Sequence, residues 1–134
     1  MYFEWKDEFS INIKEIDEQH KKMFAIGKRL ADIILSNSSF DDNEINTIFK
    51  ELKAYTKYHF SYEEHHMLES GYPFYETHRN QHEALIKRIQ DIESKNSGNF
   101  GTETLMVLID FVFEWITSHI LKSDFKYRDY IRHP

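Results

Sequence analysis

Cysteine is absent from the sequence, so no disulfide framework and no thiolate metal site can form, and any metal must be held by nitrogen and oxygen. Proline and glycine are scarce, at 2 and 4 of 134 residues, which argues against a turn-rich all-β fold and against disorder. Basic residues do not cluster: 17 Lys and Arg are scattered among 23 Asp and Glu, for a net charge of −6. Without a basic stripe the sequence argues against a nucleic-acid partner. No unbroken apolar run reaches about 18 residues, so no membrane span is expected. The opening MYFEWKDEFS lacks a basic segment leading into an apolar one, so no signal peptide is expected, and a soluble cytoplasmic protein is the default expectation. The length suits one domain, residues 1–134, with one core.

What is present is aromatic and helical. Phe, Tyr and Trp make up 16% of the chain. Residues 1–16, with Trp5, Phe9, Ile11, Ile13 and Ile16, read as an irregular arm lying across something apolar. Apolar residues then recur at steps of three and four. The period predicts helices over about 17–36, 42–69, 75–95 and 102–121, with a tail over 125–134. Asp41 or Asp42 is a plausible cap for the second helix, and Thr102 or a neighbour for the fourth. Ser70-Gly71-Tyr72-Pro73 ends the second helix. Four amphipathic helices joined by short loops predict an all-α fold, an antiparallel up-down-up-down four-helix bundle with an N-terminal arm and a short C-terminal tail.

Five of the eight histidines continue the apolar stripes: His20, His59, His78, His82 and His119. A single such histidine is usually a core residue satisfied by a hydrogen bond. Five together are different. His20 lies near the start of the first helix, His59 and Glu63 near the end of the second, His78 and His82 near the start of the third, and His119 near the end of the fourth. An up-down-up-down bundle brings those places to one end. Burying so many polar groups without partners costs several kcal/mol each, on the order of the transfer penalty for an unpaired polar group, and a metal site removes the objection. The pairs His59–Glu63 and His78–His82 are i, i+4 and share a face. His119 and Asp124 are i, i+5, which a regular helix separates by about 140°, so the fourth helix is expected to end, bulge or overwind near residues 120–123. Glu64 and His65 are expected to face solvent. His66 is a candidate for a role beside or at the entrance of the site, and His133 is expected to be unrelated.

Five histidines, Glu63 and Asp124 are too many ligands for one ion. They suit two, bridged by the carboxylates: three histidines complete a six-coordinate ion, and two leave the other with an open position. Imidazole with carboxylate suits iron, and an open position on a redox metal invites O2. Zinc sites are usually four-coordinate and mononuclear.

The stretches I16-DEQH-K21, H59-FSYE-E64, H78-RNQH-E83 and W115-ITSHILKSD-F125 resemble the hemerythrin family, specifically short single-domain bacterial hemerythrins, in order and separation over essentially the whole chain. The resemblance implies two Fe ions joined by an oxo or hydroxo bridge. His78, His82 and His119 would bind the six-coordinate iron, His20 and His59 the other, and Glu63 and Asp124 both. Phe60 and Trp115 would help line a dry pocket in which O2 binds at the vacant position and leaves as O2. The expected function is reversible O2 binding for storage, transport or buffering, not catalysis, in a monomer or weak homo-oligomer. The alternatives are an O2 or redox sensor acting through an unidentified protein partner, and a di-iron oxidase or an enzyme handling peroxide or nitric oxide. Ferritin-like sites use paired Glu-x-x-His motifs, and only Glu63-x-x-His66 fits here.

Overall fold

The computed structural model describes residues 2–36, 42–96 and 102–132. Its long elements are α1 (Lys14–Leu35), α2 (Asp42–Glu69), α3 (Tyr75–Asn96) and α4 (Thr102–His119). They form an up-down-up-down bundle in which α1 packs on α2 and α4, and α2 on α3. No strand occurs among the described residues. Asp41, the loop 97–101 and His133 lie outside the described residues, as do the side chains of Asp42 and Thr102 and with them the expected caps.

The chain of α4 does not stop at His119. It passes through one π-helical turn, Ile120–Asp124, into α5 (Phe125–Arg132). The Phe125 N–H donates to the Ile120 carbonyl five residues back, which widens the turn rather than overwinding it. The expected tail is therefore helical, and its Tyr127 is fully buried.

One other boundary differs from the sequence expectation. Helix α1 begins at Lys14, three residues before Asp17. Asp17 instead reaches back to the arm, accepting hydrogen bonds from Ser10 Oγ at 2.5 Å and Ile11 N–H at 2.9 Å. The arm contains a short 3-10 turn, Asp7–Phe9, and buries Phe3, Phe9 and Ile11 against the bundle. At the end of α2, Gly71 has φ +67° and Tyr72 N–H donates to the Met67 carbonyl. This is the left-handed glycine stop that the sequence suggests.

The continuous helix Thr104–Arg132 is long and apolar enough to cross a membrane by length and composition alone. Its apolar face, Leu105, Leu108, Ile109, Val112, Ile116 and Ile120, is buried in the bundle core, and a core helix passes the same test.

Candidate metal centre

The helical period delivers the polar residues to one level. His20 enters from α1, His59 and Glu63 from α2, His78 and His82 from α3, and His119 from α4. Asp124 enters from the π turn, which brings a residue five positions after His119 round to the same side. All seven are buried, and Glu63 and Asp124 are fully so.

Their ligand atoms form two groups, each with all atoms within 4.8 Å of one another. One joins His78, His82 and His119 with both carboxylates; the other joins His20 and His59 with the same two. The carboxylates divide their oxygens. Glu63 Oε1 lies 2.7 Å from His78 Nε2 and 3.2 Å from His82 Nε2, while Oε2 lies 3.7 Å from His59 Nε2. Asp124 Oδ1 lies 3.1 Å from His78 Nε2 and 3.4 Å from His119 Nε2, while Oδ2 lies 3.2 Å from His20 Nε2.

The imidazole nitrogens test whether a metal fits. His119 Nε2 is 3.0 Å from His78 Nε2 and 3.1 Å from His82 Nε2, and His20 and His59 Nε2 are 3.0 Å apart. Ligands about 2.1 Å from one centre stand about 3.0 Å apart at a right angle and about 3.4 Å apart in a tetrahedron. The spacing therefore suits octahedral-type ions. Glu63 Oε2 and both Asp124 oxygens have no hydrogen-bond partner despite their burial, a state that is expensive unless a cation completes it.

Electrostatics without a metal is strained in the same sense. Burial pushes the His59 pKa down to about 3 and His20 adds to the effect. Burial likewise holds His119 at about 4, helped by His82 and His78. His78 goes the other way. Burial opposes its charge, but Asp124 and Glu63 outweigh it and raise the pKa to about 10. Burial also disfavours the Glu63 carboxylate, yet hydrogen bonds from His78 and His82 keep it well below the ordinary range.

The outer contacts orient the rings. His59 Nδ1–H donates to Gln19 Oε1 at 2.8 Å, so its Nε2 presents a lone pair inward. His82 Nδ1 is 2.8 Å from Glu64 Oε2. Glu64 is thus not merely a solvated surface residue, as its helical phase suggests: its side chain is only 21% exposed and bends across to α3. Sequence reasoning missed both partners. Their adjacency to His20 and Glu63 was the available signal, but adjacent positions on a helix face different directions. His65 is exposed, as expected. Phe60 stacks on His82, with centroids 3.8 Å apart and planes 1° from parallel, and reaches His59 at 5.8 Å. Trp115 stacks on His119 at 4.5 Å, and both line a surface cavity of about 520 Å³ that also touches Gln81 and Ser123.

The chain matches the family described as "Hemerythrin HHE cation binding domain" over residues 12–131. It is 34% identical to a bacteriohemerythrin of Clostridium acetobutylicum, covering 95% of this chain and 99% of that one. It is 33% identical to one of Campylobacter jejuni, covering 87% and 86%. Among solved structures, wild-type hemerythrin superposes with a TM-score of 0.81 at 28% identity, covering 94% of this chain and 95% of that one.

Proposed function

Because the chain belongs to the hemerythrin family, we propose that it is a non-heme di-iron protein that binds O2 reversibly. In this reading His78, His82 and His119 hold one iron, His20 and His59 hold the other, and Glu63 and Asp124 span both. The observation that carries it is the sharing of two buried carboxylates by two histidine groups, with each carboxylate turning one oxygen to each group. An iron pair so held would supply the redox chemistry with which O2 is bound.

The chain's own residues make such binding reversible. Phe60 and Trp115 press flat on His82 and His119, which fixes the ring planes. Apolar cover around an iron pair would limit the water and protons that reach it. Gln19 and Glu64 hold the Nδ1 protons of His59 and His82, leaving Nε2 free to bind. Five imidazoles against two carboxylates make a set poorer in anionic ligands than the ferritin-like oxygen-activating sites. This favours a carrier over an oxidase.

The test is iron content together with the visible spectrum of protein reduced anaerobically and then exposed to air. Two irons per chain, a colourless reduced form and charge-transfer bands that vanish on removing O2 are expected. Oxidation in air with no reversible adduct would sink the carrier reading, and little iron in protein made with ample iron would sink the centre itself.

A further inference from the structure

One turn beyond each shared carboxylate lies a residue that the centre does not use. His66 follows Glu63 by three positions in α2, and Tyr127 follows Asp124 by three in α5. Helical residues three apart share a face about 4.5 Å along the axis, so the two form the next layer of the bundle. They meet there: the Tyr127 hydroxyl is hydrogen-bonded to His66 Nδ1 and lies 3.1 Å from Ser70 Oγ. Two more phenols continue outward. The Tyr127 and Tyr72 rings are 4.9 Å apart and the Tyr72 and Tyr130 rings 5.2 Å apart. Tyr127 and Tyr72 are buried, while Tyr130 is partly exposed and donates to the Ser70 and Gly71 carbonyls.

We propose that Tyr127 is a redox-active phenol that gives its proton to His66 when it loses an electron, and that Tyr72 and Tyr130 connect it to the surface. Oxidising equivalents produced when the iron centre meets hydrogen peroxide then leave through tyrosine instead of consuming the ligands; this use of the relay rests on the di-iron reading above. Burial pushes the Tyr127 pKa up to about 12 even though the Ser70 hydrogen bond opposes it, so at neutral pH the phenol can be oxidised easily only if its proton moves too. His66 Nδ1 is the base in place to take it. The chain has no cysteine to intercept the hole.

Each event moves one electron from Tyr127 to the oxidised centre and one proton from its oxygen to His66 Nδ1. An electron then passes from Tyr130 across the Tyr72 ring to Tyr127, the proton returns from His66 to Tyr127, and Tyr130, which is partly exposed, gives its own proton to solvent. A thiol in solution refills Tyr130. Two events match the reduction of one hydrogen peroxide to two waters, with two thiols becoming one disulfide and their two protons completing the waters.

Iron content is measured first on the purified chain, so that failure of the centre is seen separately. The chain is then oxidised by flash-generated ruthenium(III) tris-bipyridine, which needs no iron, and radicals are followed by transient absorption and freeze-quench EPR. The wild type is expected to give a long-lived tyrosyl radical with a solvent isotope effect, re-reduced by dithiothreitol. Tyr127→Phe should lose that signal, His66→Gln should lose the isotope effect, and Tyr130→Phe should slow re-reduction. In the iron-loaded chain, hydrogen peroxide should give the same radical and mark Tyr130 in peptide mass maps. An unchanged radical in folded Tyr127→Phe, or a radical carried by Trp115, would overturn the relay. If Tyr127→Phe does not fold, unchanged isotope effect in His66→Gln together with unchanged re-reduction in Tyr130→Phe would do so.

Discussion

At the scale of single residues, the proposed centre separates groups that would hold metal from groups that aim them. His78→Ala or His82→Ala should cost the three-histidine group its ion, read as iron per chain; retention of two irons by either variant would refute the assignment. Glu64→Ala should weaken metal binding by roughly 10–100-fold, the usual effect of losing a partner that orients a ligand histidine, while Glu64→Gln should recover part of it. Competition with a chelator measures both, and wild-type affinity in Glu64→Ala would return Glu64 to the surface role that its helical phase suggests. The metal-free chain should show its own pH dependence. His59 and His119 titrate near 3 and 4 when folded but near 6.5 when unfolded, so below about 6.5 the unfolded chain takes up protons that the folded one refuses and stability falls. His78, raised to about 10, contributes fully below about 6.5, and that contribution is lost as pH rises toward 10. Urea midpoints in chelator should therefore peak near pH 6.5; a flat profile would mean that the metal-free site relaxes its burial. The five histidines were legible in the sequence because each replaced an expected apolar residue on a stripe. Glu64 and Gln19 were not, because a long side chain can leave its own helical face.

At the scale of elements, the sequence showed four helices and their order, and it showed that something must happen after His119. It could not show what, since ending, bulging and overwinding all satisfy an i, i+5 pair. The structure widens the helix by one π turn, which amounts to one extra residue accommodated in a continuing helix. This yields a test by length. Deleting Leu121, which is 41% exposed, leaves His119 and the aspartate i, i+4 on a regular helix, still on one face, and two irons per chain should remain. Inserting an alanine after Leu121 turns the aspartate by about 100° and should abolish loading while helicity by circular dichroism stays unchanged. Loss of metal in the deletion would show that the π turn itself is required.

At the scale of the whole molecule, the arm and the bundle are fitted to each other. Phe3 is buried among Phe24 and Phe113, and its ring lies where a Cβ on Gly27 would come within 2.6 Å. The ring would have to shift out of its packing, so Gly27→Ala should destabilise the fold by about 1–3 kcal/mol, as overpacking does, with iron content unchanged. Chemical denaturation reads the first and metal analysis the second; unchanged stability would mean the arm lifts freely. The sequence identified an arm over apolar surface but not its seat, because no period marks which small residue receives which ring. The sharing of Asp124 by both histidine groups also bears on how the molecule is made. A nascent chain that has emerged from the ribosome as far as α3 displays four of the histidines and Glu63, yet neither group is complete. Both wait for residue 124. At roughly 5–20 residues per second, the last helix follows within seconds, so on the di-iron reading full iron acquisition would belong to maturation after this segment is synthesised, and a truncated product ending before it would be left without a finished centre.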